Sequence, residues 1–167
     1  MKTYLLPALM MVLLCFACKP STEQAKNPKP TAVETANPQA NIEEKLIVDY
    51  INANNLDCSR MDNGVYVCSL IEGNGAPIKP GGPVSAHYKG YTLDGKEFDS
   101  SYKRNKPLSF KVGQMISGWN EWLVTVNEGT KATLLIPSAK AYGSRAKGPI
   151  AANSTLAFDV EVLLPTK

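Results

Sequence analysis

The sequence predicts an α+β domain in which several antiparallel strands pack against one short helix. Two periodicities carry that prediction. The segments "VSAHYKGY" (84–91), "KATLLIP" (131–137) and "LAFDVEVLL" (156–164) alternate in the manner of half-buried strands. In the last of these, Leu156, Phe158, Val160, Val162 and Leu164 oppose Ala157, Asp159, Glu161 and Leu163. Between the first two, "ISGWNEWLVTV" (116–126) spaces Ile116, Trp119, Trp122, Leu123 and Val126 as a short amphipathic helix does. A chain of 167 residues has room for one ordinary domain and short accessory segments.

The chain begins outside that domain. Lys2 precedes an apolar run from Tyr4 to Ala17, too short for a comfortable membrane span and suited to the core of a signal peptide, here residues 1–17. The run ends in "LLCFAC", which resembles a bacterial lipobox with Cys15 where Leu is usual. The resemblance implies lipidation of Cys18 as the first mature residue; Cys15, preceded by bulky Leu14, is the weaker acylation candidate. An ordinary cleaved signal peptide is the alternative, and either form is exported. The lipidated form is anchored to a membrane of the bacterial cell envelope, facing the periplasm or the cell surface. Residues 18–40 carry four prolines and almost no large apolar side chains, the composition of a flexible linker.

Residues 41–56 read as a short helix, with Ile42, Leu46, Ile47, Tyr50 and Ile51 on one face, Asn41 as N-cap and Glu44 completing a capping box. A helix of that length needs a surface to pack against. From residue 57 to 167 the period-two pattern defines the main domain. Its first hairpin turns at Asp62-Asn63-Gly64, so Met61 pairs with Val65 and Cys58 falls opposite Cys68. In an oxidising envelope this pair reads as a structural disulfide, with two free buried thiols as the alternative. A zinc site needs thiol or imidazole ligands that a domain with one histidine, His87, does not supply, so no metal and no cofactor are predicted. A second hairpin turns at Asp94-Gly95 and delivers Phe98 and Asp99 side by side. The net charge is +3 with scattered Lys and Arg, which argues against nucleic-acid binding, and the basic run "YKRNK" (102–106) reads as a solvated loop.

Four separated motifs, "VSAHYKGYTLDGKEFDSS", "NKPLSFKVGQMISGWNEW", "AYG" and "NSTLAFDVEVLL", resemble FKBP-type peptidyl-prolyl isomerases in order and approximate spacing, over roughly Gly64 to Leu164. The resemblance implies a strongly curved antiparallel sheet wrapped around a short helix, with a hydrophobic pocket between them. Carried over residue by residue, it implies catalytic roles for Tyr88, Phe98, Asp99, Ile116, Trp119 and Tyr142. Substrate-binding roles fall to Leu108, Phe110, Met115, Ile150 and Phe158. Trp119 would be the pocket floor, Ile116 would offer its backbone N–H to a substrate carbonyl, and Tyr142 would offer its hydroxyl at the rim. Taken singly, aromatic residues at these periodicities are ordinary core; their joint occurrence makes the pocket.

No proton has to move in prolyl isomerisation, so Asp99 is expected to be a hydrogen-bond acceptor at the pocket wall, partnered by the Tyr88 hydroxyl. A capping carboxylate for Ser100 and Ser101 is the alternative. His87 falls on the strand face opposite Tyr88 and is expected to be structural or exposed. The sequence departs from the family at Leu108, where an aromatic wall is common, at Ala151 and Ala152, where two prolines are frequent, and at Trp122, where Gly is frequent. The loop from Tyr142 to Thr155 is also one residue short. The expected partners are proline-containing exported polypeptides, with macrolide inhibitor binding weakened by Leu108. The short N-terminal helix favours a monomer over a dimer. The expected function is peptidyl-prolyl isomerisation of exported proteins in the envelope. A non-catalytic binding or chaperone module on the same fold is the alternative.

Overall fold

The computed structural model describes residues 37–163. The signal peptide, Cys15, Cys18, most of the linker and Leu164 lie outside the described residues.

Seven antiparallel strands form one sheet: β1 (Cys58–Arg60), β2 (Tyr66–Ile71), β3 (Pro83–Thr92), β4 (Glu97–Ser100), β5 (Leu108–Lys111), β6 (Lys131–Ile136) and β7 (Leu156–Val162). The spatial order is β1-β2-β6-β7-β3-β4, with β5 also paired to β3. The ten residues of β3 organise this sheet. One edge of β3 takes β5 along Pro83–Ala86 and β4 along Lys89–Tyr91, while its other edge takes β7 from Ala86 to Thr92. The sheet wraps the seven-residue helix α2 (Ser117–Leu123), whose Trp119, Trp122 and Leu123 are buried in the main core with Leu134, Phe158 and Val160. Trp122 is thus a filled core position, and it also lines a cavity of about 270 Å³ with Met61 and Val67.

The α+β class and the α2 segment follow the sequence patterning, but β6 and β7 are half-buried only along Lys131–Thr133 and Asp159–Val162 and are buried on both faces over the rest. Ala157 and Leu135 are buried on the outer face as fully as Phe158 and Leu134 are on the inner one. Helix α1 (Pro38–Ala53) covers that outer face, where Ile47 and Ile51 pack with Tyr66, Cys68, Leu135 and Ala157. The fold is therefore three layers, with the sheet between α1 and α2.

Helix α1 departs from expectation in two ways. It starts at Pro38 rather than at residue 41, because the Asn37 side chain accepts from Gln39 N (3.0 Å) and proline's fixed φ suits a first helical turn. The helix therefore claims residues assigned to the linker, and it ends at Ala53. Its apolar stripe is also rotated: Ile42 and Leu46 remain 58% and 51% exposed, while Glu43 and Glu44 are buried. Glu44 caps nothing. Its carboxylate accepts from Tyr66 Oη (2.6 Å) and Arg60 Nε (2.9 Å), donors that the outer face of the sheet presents and that need an acceptor once covered. Burial first, and then this bond to Glu44, raise the pKa of Tyr66 far above its ordinary value.

The β1–β2 hairpin has the predicted register. Met61 N donates to Val65 O (2.8 Å), Gly64 has φ +90°, and Cys58 lies opposite Cys68, to which a disulfide joins it. The β3–β4 hairpin differs from expectation. Its loop is three residues, Leu93-Asp94-Gly95, closed by Thr92 N to Lys96 O (3.0 Å), with Gly95 at φ +84° supplying the left-handed step that a three-residue loop requires.

The disulfide closes a short loop, and in the chain-entropy model it contributes about 2–3 kcal/mol. Reduction is expected to lower the melting temperature of the purified protein by roughly 10 °C. Activity at room temperature should survive, because the bridge lies under α1. An unchanged melting temperature would show that the bridge adds no stability.

Candidate active site

Between α2 and the inner face of the sheet lies a cavity of about 490 Å³. It is lined by Tyr88, Phe98, Asp99, Met115, Ile116, Trp119, Tyr142, Ile150 and Phe158, together with Gln114, Lys147, Gly148 and Pro149. Its size suits a peptide side chain or a small apolar ligand.

Trp119 forms the floor. It has no exposed surface, and its ring meets Tyr88 and Phe158 edge-on, with centroids 5.6 and 5.5 Å away. Its indole Nε1 is buried without a hydrogen-bond partner. Phe98 meets Phe158 edge-on at 5.6 Å, and both rings lie over Gly90. A Cβ on Gly90 would stand 2.6 Å from Phe98 Cε2 and 2.8 Å from Phe158 Cε1, so the aromatic wall can close only because β3 carries no side chain there.

Asp99 is the one carboxylate among the lining residues. It accepts hydrogen bonds from the Tyr88 hydroxyl and from Arg104 Nη1, and Arg104 Nη2 donates to Tyr88 Oη (2.9 Å). Ser100 N donates to the same carboxylate (2.8 Å), so the capping arrangement exists alongside the tyrosine partnership. Ser101 instead uses its hydroxyl to hold the Tyr88 backbone and to meet His87 Nδ1 (2.9 Å). His87 stacks on Tyr102 away from the cavity. Burial pushes the Asp99 carboxyl up, but the bonds from Tyr88 and Arg104 and the Arg104 charge outweigh it, holding the group below the usual carboxylate range. Asp99 is therefore ionised at neutral pH. The Tyr88 and Tyr142 hydroxyls move the other way, first by burial and then through Asp99, and stay protonated.

The turn before α2 presents Ile116. Among the described residues no acceptor takes its backbone N–H, which is left open at a residue lining the cavity. Asn120 fixes this turn: its Oδ1 accepts from Gly113 N (2.8 Å) and Met115 N (3.3 Å), and its Nδ2 donates to Met115 O (2.5 Å). On the far rim, Lys147 and Ile150 exchange backbone hydrogen bonds of 2.9 and 3.0 Å, and this tight turn sets Ile150, 4% exposed, into the wall. The shortened loop with its two alanines thus still delivers Ile150.

Nine of the eleven pocket residues inferred from sequence line the cavity. Leu108 and Phe110 do not. Strand β5 lies against the first half of β3, with Leu108 opposite Ala86 and Phe110 opposite Val84, beyond the stretch that carries Tyr88 and Gly90. Phe110 still meets Trp119 at 5.9 Å from behind, and its other side borders a separate groove with Val84 and Val162. Sequence reasoning missed Arg104 and Asn120. Arg104, assigned to a solvated basic loop, curls back onto Asp99. Its one sequence signal is its position five residues on, after a strand end.

The chain is similar to known proteins in sequence and in fold. The profile of the FKBP-type peptidyl-prolyl cis-trans isomerase family matches residues 75–163. The chain is 47% identical over 98 residues to the FKBP-type peptidyl-prolyl cis-trans isomerase FkpA of Escherichia coli, covering 58% of this chain and 36% of that protein. It is 54% identical over 87 residues to FK506-binding protein 2 of Aspergillus oryzae, covering 50% of this chain and 64% of that protein. The crystal structure of Escherichia coli FkpA superposes with a TM-score of 0.66 at 38% identity, over 75% of this chain and 60% of that one. AtFKBP13 superposes with a TM-score of 0.62 at 35% identity, over 66% of this chain and 99% of that one. The chain thus spans about a third of the length of the bacterial relative it matches in sequence.

Proposed function

Because this chain belongs to the FKBP-type peptidyl-prolyl cis-trans isomerase family, we propose that it catalyses rotation about X-Pro bonds in the cavity between α2 and the sheet. The observation that carries the reading is the chemistry of the lining. Five aromatic rings and three aliphatic or thioether side chains surround a single carboxylate that is already hydrogen-bonded and ion-paired. Such a site has no free acid–base pair and no activated nucleophile, and its lining is mainly apolar.

That is what the reaction needs. Twisting the imide destroys its resonance against a barrier of about 18–20 kcal/mol. As it twists, the carbonyl loses polarity and becomes easier to desolvate, so a dry aromatic cavity binds the twisted form better than either planar one. Trp119 and Phe158 receive the proline ring, with Phe98 and Tyr88 as walls. The Ile116 N–H and the Tyr142 hydroxyl donate to carbonyls flanking the ring. Asp99 and Arg104 hold the Tyr88 ring in place and supply a fixed polar edge. Each 1.36 kcal/mol of preference for the twisted form is worth about tenfold in rate.

A protease-free isomerisation assay on short X-Pro peptides tests this reading. kcat/KM should be nearly flat from about pH 6 to about pH 8, because Asp99 is ionised and both tyrosines are protonated throughout. With its folded pKa depressed, Asp99 stabilises the fold above the ordinary carboxylate range, and that contribution is lost as acid protonates it. A bell-shaped profile within the neutral range would assign proton transfer to the site and contradict the mechanism.

The cellular reading rests on the sequence before residue 37. The apolar run and "LLCFAC" support export and lipidation at Cys18, with proline-containing exported polypeptides as substrates and the bacterial envelope as the location. Helix α1 lies on its own sheet, which supports a monomer. The chain's likeness to proteins named FK506-binding supports macrolide binding in the same cavity. Cys18→Ser is expected to abolish lipid labelling and to leave the protein soluble or unprocessed. Labelling that persists in Cys18→Ser and disappears in Cys15→Ser would move the anchor.

A further inference from the structure

We propose that Glu43 of helix α1 is a positioning residue for the isomerase cavity: its carboxylate fastens both ends of the loop 137–155, which carries Tyr142 and Ile150 to the rim. Glu43 is 3% exposed. It accepts from Ser138 N (2.5 Å) and Ser138 Oγ (2.6 Å), where the loop leaves β6, and from Thr155 Oγ1 (3.3 Å), where the loop enters β7. Gln39 Nε2 completes the set (2.7 Å), and no cation among the described residues reaches the carboxylate. A carboxylate without a counter-ion is costly to bury and is tolerated only where several donors converge on it. Three of the four donors here belong to the two ends of one loop.

The hold passes to the rim through the backbone. The Ser138 carbonyl accepts from Ala141 N and Gly143 N, both at 2.8 Å, and so brackets Tyr142. The Gly143 carbonyl accepts from Asn153 N (2.8 Å), tying the outgoing half of the loop to the incoming half. A second fastening comes from α2, where Ser117 Oγ donates to Lys140 O (3.1 Å). The loop is therefore gripped by a helix on each side of the sheet. The outer grip comes from a residue that precedes the family-matched region 75–163. Helix α1 is in this sense a working part of the site.

This inference rests on the isomerase reading for its kinetic consequences, while its structural half stands alone. Glu43→Ala is expected to speed amide exchange of Ala141, Gly143 and Asn153 at least about tenfold while the β6–β7 ladder keeps its protection. kcat/KM for an X-Pro peptide should fall about tenfold, more through KM than kcat, because the rim meets substrate before and during rotation. In a Tyr142→Phe background the same substitution should cost clearly less than in the parent, since one of the groups it positions, the Tyr142 hydroxyl, is already gone and only Ile150 remains to be displaced. Thr155→Val and Ser138→Ala, which each remove one donor, should give smaller effects in the same direction and carry the test if Glu43→Ala does not fold. Uniformly faster exchange across the sheet, unchanged exchange in the loop, or a full kinetic loss in the Tyr142→Phe background would each overturn the proposal. If the unmodified chain does not isomerise X-Pro peptides, the isomerase reading fails, and the exchange measurement still decides the role of Glu43.

Discussion

Asp99→Ala is expected to lower kcat/KM for X-Pro peptides by about ten- to a hundredfold while leaving the protein folded. The carboxylate holds the Tyr88 hydroxyl and the Arg104 guanidinium together at the cavity wall. Without it, Arg104 becomes an unpaired cation beside a mainly apolar cavity, and Tyr88 loses the partner that fixes its ring against Trp119. The Asp99 side chain is 40% exposed, so its loss should cost catalysis far more than stability. Asp99→Asn keeps an acceptor for Tyr88 without the charge, and should fall between the variant and the parent. Phe98→Ala, which opens the wall over Gly90, should bring a comparable loss. Unchanged turnover in both alanine variants would show that catalysis does not occur in this cavity.

Trp119→Ala is expected to have the largest effect on stability, about 3–5 kcal/mol. The ring is wholly buried and meets Tyr88, Phe110 and Phe158, so its removal leaves a void at the junction of α2, β3, β5 and β7. That is a large part of the roughly 5–15 kcal/mol by which such domains are stable. Denaturant midpoints measured with an unchanged m-value would report it. Trp119→Phe keeps most of the packing and should lose catalysis more than stability, because the floor is lowered without being removed. A loss under about 1 kcal/mol in Trp119→Ala would mean that the neighbouring rings close over the gap, against the rigid floor described here.

The parts of this fold that obey a single periodicity were legible in the sequence. The strands around Tyr88, Leu134 and Phe158 alternate cleanly, and the turn residues at Gly64 place Cys58 opposite Cys68 with no further information. The pocket was legible because four motifs in order resemble one family, and nine of its residues do converge. What escaped was polar chemistry across long sequence distances. A hydrophobic pattern sees Ile42 and Leu46 and turns α1 to bury them. It does not see that Tyr66, Arg60, Ser138 and Thr155 offer donors under the helix, and satisfying those donors buries Glu43 and Glu44 instead. The same limit hid Arg104, whose loop composition says solvent while its reach says Asp99. Leu108 and Phe110 lie off the cavity lining because a motif gives order along the chain, whereas the register of β5 on β3 decides which stretch of wall those residues meet.

The most direct test of the central claim is NMR exchange spectroscopy of a short X-Pro peptide with catalytic amounts of the protein, read together with the protein's own amide shifts. Accelerated cis–trans exchange is expected, abolished or strongly reduced in Asp99→Ala, with shifts confined to residues such as Ile116, Tyr142 and Ile150 around the cavity. Exchange at the uncatalysed rate, or catalysis accompanied by shifts only along the separate groove beside Val84 and Val162, would contradict it.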